Sequence, residues 1–416
     1  MEEELYPRCA GLDIHKTFLI ACRRYPDPAG QSRRDIRKFG TMLADLQALA
    51  TWLAETGTTH VVMESTGVYW QPVFNVLEEH CTVWLVNAAH VKNVPGRKTD
   101  VKDAEWLAHL LRQGLLRPSF IPPREQRELR EVVRYRQSLV EERTRVSNRV
   151  QKVLEDANIK LSSVVTDMQG VSAQAMITAL MEGETNPESL ATRAKGQLRH
   201  KQAALEQALQ GRVRAHHRYL LRHLLAHLEF LNREIAEVEA HIEAEVAARP
   251  PFAEAVEVLD SIPGVDRQTG IVIVTEIGVD MSRFPSAGHL TAWAGLAPGN
   301  NQTGGKERPS PTRKGNRYLR RALVQAGHAA AHKKGSYLRS MYYRIARRRG
   351  SGRAAVAVGR TILEIAYHLI QRHTRYEDLG AEYLEQRDAA ARIRYLTREL
   401  EKLNVKVRIE AAAEAA

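Results

Sequence analysis

Between Leu224 and Ile242 the apolar residues Leu224, Leu228, Leu231, Ile235, Val238 and Ile242 recur in steps of four, three, four, three and four. A helix turns once in about 3.6 residues, so this spacing lays one apolar stripe along a helix, and that stripe must be buried against a second helix. An earlier run, Leu129, Val132, Leu139, Val146, Val150 and Val153, keeps a similar rhythm interrupted by Arg136 and Arg143. Two long coiled-coil-like arms follow. They pair as a hairpin within one chain or as a contact between chains; the period alone does not choose, and the reading here favours oligomerisation. Gly170 to Lys195, carrying Gly, Asn, Pro and Thr between the arms, reads as the place where the chain turns.

What precedes the arms has a different texture. RCAGLDIHKTFLIACRRY (8–25) is two apolar runs around a DIHK turn, and a charged stretch follows to Gly40. This predicts a strand hairpin and a third strand. Leu43, Leu46, Leu49, Trp52 and Leu53 sit at helical spacing, while HVVME (60–64) and TVWLV (82–86) are strand-like runs separated by a helix-length segment. Strands that first meander and then alternate with helices imply a mixed sheet flanked by helices, an α/β layer over residues 1–120. The arms fill 121–249. Pro250-Pro251 opens a third, mostly helical region over 250–375, and a charged helical tail fills 376–416.

In that third region FAEAVEVLDSIPGVDRQTGIVIVTEIG reads as helix, IPGV turn and helix, with Asp266 as N-cap. Such a helix-hairpin-helix corner either offers its turn amides to a phosphate or is an ordinary packing corner. AAVAVGRTILEIAYHLI reads as a buried helix.

Charge is placed unevenly. The formal net charge is +12, yet Lys306 to Arg353 holds fifteen Lys or Arg against one acid, Glu307, so the remainder is near −2. A basic block of this length predicts a nucleic-acid backbone as partner, because each cation near a phosphate releases condensed counterions. Tyr318, Tyr337, Tyr342 and Tyr343 interleave with the arginines, either to stack on bases or to fill a core. Three cysteines without CxxC spacing give neither a disulfide framework nor a zinc cluster. No apolar run approaches the ~18 residues of a membrane span, and MEEELYPR has no apolar signal core. The expectation is a soluble, cytoplasmic protein with no membrane partner.

Four acids stand out by position. Asp13 interrupts an apolar strand, Glu64 ends one, and Asp100 and Asp103 lie three apart in GRKTDVKDAEWLAHLL, on one face of a helix. A charge in a sheet interior needs a cation or a polar cleft. Carboxylate oxygens suit hard divalent ions, and a pair of Mg²⁺ ions would clamp the attacking and leaving oxygens of a phosphoryl transfer. Taken singly, each acid also fits a structural role.

Together, GLDIHK, VVMESTGVYW and GRKTDVKDAEWLAHLL, followed by SIPGV, TEIG, RFPSAGHLTAWAGLAPGNNQTGGK and RKGNRYLRRAL, make the sequence similar to the DEDD-type transposases of insertion sequences, the group that uses a bridge RNA. The likeness covers roughly residues 8–120 and 255–370. It implies an RNase H-like (RuvC-like) amino-terminal domain with Asp13, Glu64, Asp100 and Asp103 as catalytic Mg²⁺ ligands, then a coiled-coil arm and a mostly α-helical transposase domain. It further implies duplex DNA, both donor and target, and a structured guide RNA as partners, with a homodimer or homotetramer as the working assembly.

Similar transposases attack DNA with a serine in the segment matching NQTGGK. That position is Thr303 here, a departure from the pattern. Threonine keeps the hydroxyl, but its Cβ branch stiffens χ1 and crowds the approach to phosphorus. Gly304 and Gly305 allow close backbone approach, and Lys306, Arg308 and Arg313, with Lys314, Arg317 and Arg320 downstream, are the candidate phosphate contacts. Asn300 and Asn301 are further candidates to orient it. Ser310, in RPSPT, is the rival nucleophile. Two other readings stand beside recombination: a junction nuclease that uses only the metal site, and an inactive nucleic-acid-binding derivative of a transposase.

Overall fold

The computed structural model describes residues 5–64, 67–87, 100–299, 302–303, 306–307, 311–312 and 314–402. The chain divides into two compact units, Met1–Ile121 and Pro122–Ala416.

The first unit is built on a five-stranded mixed sheet, with β1 (Cys9–Ile14), β2 (Phe18–Pro26), β3 (Ser32–Gly40), β4 (His60–Glu64) and β5 (Thr82–Val86) in the order β3-β2-β1-β4-β5. β1 to β3 meander antiparallel; β4 runs parallel to β1, and β5 parallel to β4. The edge strand β3, SRRDIRKFG, is mostly exposed, and its row of charges guards an open edge against pairing with another chain. Along β1 alternate residues face opposite sides. Leu12, with Val61 and Met63 of β4, packs beneath α1 (Leu43–Ala54) and α2 (Trp70–Leu77) through Leu46, Leu49, Leu53, Phe74 and Leu77. Cys9, with Val62 and Val86, packs beneath α3 (Asp100–Arg112) through Leu107, Leu110 and Leu111.

The same burial silences the thiols. It pushes Cys22 and Cys81 up to about 11, which at pH 8 leaves about a hundredfold less thiolate than the ordinary value of 9.0. Both are expected to resist alkylation in the folded protein and to label once guanidinium has unfolded it. Mass counting of modified cysteines checks this; rapid native labelling of Cys22 would contradict the burial.

In the second unit the arms α4 (Arg124–Asp156) and α9 (Ala215–Ala247) lie antiparallel within one chain. Arg136 Nε donates to Glu239 at 2.9 Å, Arg143 to Asn232 at 3.2 Å, and Asp156 meets His217 at 2.7 Å. The stripe of each arm is thus covered by the other, so it is not left free for the intersubunit contact favoured above. The two arginines that break the apolar rhythm stand at the seam and reach across it to these polar groups. The rhythm was also misplaced at each end of α4: Val133 and Leu154 are buried where Val132 and Val153 are only partly so.

The segment joining the arms is more than a turn. Among the short helices α5 (Leu161–Val164), α6 (Val171–Glu182), α7 (Pro187–Ala191) and α8 (Gln202–Ala208), residues Leu161, Met176, Ile177, Leu180, Leu190 and Leu205 are buried in one core with Leu154 and Leu221 of the arms.

The carboxyl-terminal helices are α10 (Pro250–Asp260), α11 (Arg267–Ile277), α12 (Ala287–Trp293), α13 (Arg317–Ala330), α14 (Tyr337–Arg349), α15 (Ser351–Arg372) and α16 (Tyr383–Lys402). Asp266 caps α11 by accepting from Thr269 N at 2.8 Å, as its position predicts. The IPGV turn is a packing corner: Ile262 and Val265 are buried, and Gly264 abuts the backbone of α13 at Ala326 and Ala330. α15 is the buried helix, through Ala354, Ala355, Val358, Ile362 and Leu363. The tyrosines divide. Tyr342 is in the core against His328, whereas Tyr343 stays 42% exposed beneath Arg339. Among the described residues no helix is long and apolar enough to cross a membrane.

Candidate functional site

The acids of the first unit are placed by the packing of α3 on β1. Cys9 Sγ donates to Ala108 O at 3.5 Å, and a Cβ at Gly11 would collide with the carbonyl of Ala104 and the amide of Ala108. Moving from Cys9 to Gly11 therefore moves backward along α3, so helix and strand run antiparallel in close contact. Two strand residues advance about 6.6 Å and four helical residues about 6 Å. Asp13, two residues past Gly11 on the same face, accordingly comes level with the turn Asp100–Asp103 that begins α3. Leu12 pairs with Met63 in the parallel register, so Asp13 and Glu64 follow side by side on neighbouring strands. Glu64 shares the α3-facing side with Val62, two residues before it.

Asp13, Glu64 and Asp103, all half-buried, thus gather at one end of the sheet beneath the start of α3. Asp100 is the first residue of that helix; its side chain lies outside the described residues. Sequence reasoning missed His15, whose Nε2 lies 3.1 Å from Asp13 Oδ2 and whose ring stacks on Phe18 at 4.5 Å. The DIHK turn contained the signal, since a hairpin turn returns a side chain two residues on toward the strand end. Carboxylate oxygens are the donors that suit a divalent cation, but those of Asp13, Glu64 and Asp103 do not lie within 4.8 Å of one another as a group.

Among the described residues the one group of three that does bring its potential ligand atoms within 4.8 Å is Asp156, His216 and His217. His217 Nδ1 there accepts from Arg214 N at 3.1 Å, so Nε2 carries the proton that Asp156 accepts at 2.7 Å. That bond, with the nearby His216, holds the Asp156 carboxyl below its usual range. These contacts cap a helix and leave no lone pair on His217 for a metal.

In the second unit Thr303 lies in a small hairpin. Gln302–Thr303 (β6) pairs antiparallel with Lys306–Glu307 (β7), Thr303 opposite Lys306 and Gln302 opposite Glu307. The signal for this hairpin in the sequence was the Gly-Gly dipeptide between the two short strands, a pair suited to hairpin turns. The side chains of Thr303 and Lys306 lie outside the described residues, as do Asn300, Asn301, Gly304, Gly305, Arg308, Ser310 and Arg313.

The base of the excursion is pinned. Pro298 bridges Thr312, and Gly299 N donates to Pro311 O at 3.2 Å. A Cβ at Gly315 would collide with the backbone of Ala294 and Gly295. Arg320 donates to the carbonyl of Gly295 and, at 2.9 Å, to Thr312 Oγ1, so its guanidinium holds the base together. Lys314 and Arg317 are exposed, and Arg317 lies 4.7 Å over the ring of Tyr318. Arg321 pairs with Glu141 of the first arm.

Two family models match this chain. One, for the DEDD transposases of the IS110 type and described as "Transposase", matches residues 10–159; the other, "Transposase IS116/IS110/IS902 family", matches residues 256–343. The chain belongs to the DEDD-type transposases of insertion sequences. The transposase is 28% identical over 309 residues to the insertion element IS110 uncharacterized 43.6 kDa protein of Streptomyces coelicolor, covering 68% of this chain and 73% of that one. It is 26% identical to a probable family 20 transposase of Pseudomonas aeruginosa, covering 88% of this chain and 94% of the relative. It is 25% identical to the transposase for insertion sequence element IS1111A of Coxiella burnetii, covering 76% and 79%. A transposase acts on DNA, and membership of a DEDD group implies use of a divalent metal.

Proposed function

We propose that this transposase cleaves, exchanges and rejoins DNA strands of an insertion element under the direction of a bridge RNA, working as a homodimer or homotetramer. In this reading the five-stranded sheet is an RNase H-like, RuvC-like domain, and the arms and basic helices form the second and third parts of the enzyme. Asp13, Glu64, Asp100 and Asp103 hold Mg²⁺. When bound, that ion supplies a Lewis acid for a phosphoryl oxygen and neutralises developing charge. What supports the proposal is the succession of Asp13 and Glu64 at the ends of neighbouring strands and of Asp103 on the helix packed against them, in a chain matched by a DEDD family model.

The rest of the chemistry falls to the chain's own groups. His15 orients the Asp13 carboxylate. Thr303 Oγ attacks phosphorus: a new Oγ–P bond forms as one P–O bond to deoxyribose breaks, the threonine loses its proton and the departing sugar oxygen gains one. The ester count does not change, so reversal onto a second strand rejoins DNA without another energy source. Lys306, the residue paired with Thr303 in the ribbon, binds the phosphate that Thr303 attacks. Arg308, Arg313, Lys314 and Arg317 bind the flanking backbone, and Arg320 keeps the hairpin's base closed.

The test is incubation of the protein with donor DNA, Mg²⁺ and RNA transcribed from the element's flanks, followed by a denaturing gel and mass mapping. A DNA adduct on Thr303 is expected. Mg²⁺-dependent nicking with no adduct would replace recombination with hydrolysis; an adduct on Ser310 would move the nucleophile.

A further inference from the structure

TEIG and RKGNRY stand forty residues apart, and their polar residues meet in the interior of the second unit. Glu276 is 1% exposed. Arg134 of the first arm grips it with two bonds, Nε to Oε1 and Nη2 to Oε2, both 2.7 Å. Asn316 Nδ2 donates to the same Oε2 at 2.6 Å. The other end of that amide caps α13, its Oδ1 accepting from the amides of Tyr318 and Leu319 at 3.1 Å. Tyr318 in turn lies 4.5 Å beneath Arg134. Burial, with Arg134 beside it, holds the neighbouring Arg130 below the usual guanidinium range.

A buried ion pair is a poor way to gain stability, because desolvating both charges offsets most of their attraction, and apolar residues of similar volume commonly do as well. What the pair provides is direction. Arg134's planar fork fixes the plane of the Glu276 carboxylate, so Oε2 has one orientation, and Asn316 must come to it. Asn316 is the first residue after the Gly315–Gly295 contact that closes the Thr303 hairpin. We propose that Glu276 and Asn316 are positioning residues: the buried carboxylate anchors the carboxyl-terminal root of the hairpin and thereby sets the line along which the Thr303 hydroxyl meets phosphorus. This inference rests on the assignment of Thr303 as nucleophile.

Asn316→Asp is the discriminating variant. It keeps the oxygen that caps α13 but removes the donor to Glu276 and sets a second carboxylate against Oε2. Pairing it with Glu276→Gln turns the bond to residue 316 round and restores the original charge, while giving up the Arg134 Nη2 bond to Oε2. At saturating DNA, Asn316→Asp is expected to slow adduct formation by about a hundredfold, the effect of misplacing a reacting group by about 1 Å, while DNA affinity stays within about twofold. The double variant should recover to within about tenfold of the parent. Parallel loss of affinity, adduct and melting temperature, with no recovery in the double variant, would reduce the network to a structural one and overturn the inference. Asn316→Ser, which also keeps a capping oxygen without the donor, substitutes should Asn316→Asp fold poorly.

Hydrogen exchange separates this inference from the assignment beneath it. The amides of residues 302–312 should exchange about tenfold faster in Asn316→Asp and recover in the double variant, with α10 and α15 unchanged. If the parent forms no adduct, the Thr303 assignment falls and this exchange result alone decides the positioning role; unchanged exchange sinks it.

Discussion

Asp13→Asn is expected to lower Mg²⁺-dependent strand cleavage by about a thousandfold or more while the protein still folds and binds DNA. Asn has the size of Asp and retains an oxygen for His15, which sits 3.1 Å from the carboxylate. What it loses is the negative charge. Losing several kcal/mol of transition-state stabilisation is worth about three orders of magnitude in rate. Asp103→Asn should behave alike, because the antiparallel fit of α3 on β1 brings that residue to the same end of the sheet. Glu105→Gln is the control. Glu105 lies on the same helix but pairs with Arg24 at 3.3 Å, and its variant should stay within about threefold of the parent. A nicking gel run beside a melting curve gives the answer. Undiminished cleavage by Asp13→Asn would remove the carboxylates from the chemistry.

The two units were legible in the sequence to different depths. β4 and β5 coincide with HVVME and TVWLV because short β-branched runs bounded by turns have few alternatives. The order of the acids along the chain was visible too. Their placement toward one end of the sheet was not, since it depends on Gly11 letting α3 settle on β1, a contact between residues nearly a hundred positions apart. The arms were visible as arms, yet nothing in either stripe said that the other would cover it, and the contacts of Arg136 with Glu239 and Arg143 with Asn232 that cross the seam fall at places the pattern recorded only as interruptions. Glu276 shows the limit most clearly. In TGIVIVTEIG it is one acid near a helix end, and nothing local reveals that Arg134 and Asn316 arrive from opposite directions to satisfy it. Local periodicity reports which face of an element is apolar, whereas a buried charge is explained only by partners distant in sequence.

Thr303→Ala is expected to abolish the protein–DNA adduct, and Thr303→Ser to raise its rate of formation by about three- to tenfold. The alanine variant has no oxygen to form the Oγ–P bond, so no rearrangement of the hairpin can rescue it. The serine variant keeps the hydroxyl and removes the methyl that restricts χ1 and crowds an incoming phosphate. Thr303 is the last residue of β6, paired with Lys306, and is followed in sequence by two glycines, which carry no side chain to crowd a phosphate. In that setting the β-branch is the main obstacle left to the attack, and its removal should act on the chemical step and leave DNA affinity unchanged. Ser310→Ala should leave the adduct intact. If threonine and serine react equally fast, a step other than attack limits the rate, and rapid quench of the first turnover would expose the difference. If Thr303→Ala still forms the adduct, the hydroxyl that attacks DNA lies elsewhere in the chain and the hairpin is reduced to a phosphate-binding element.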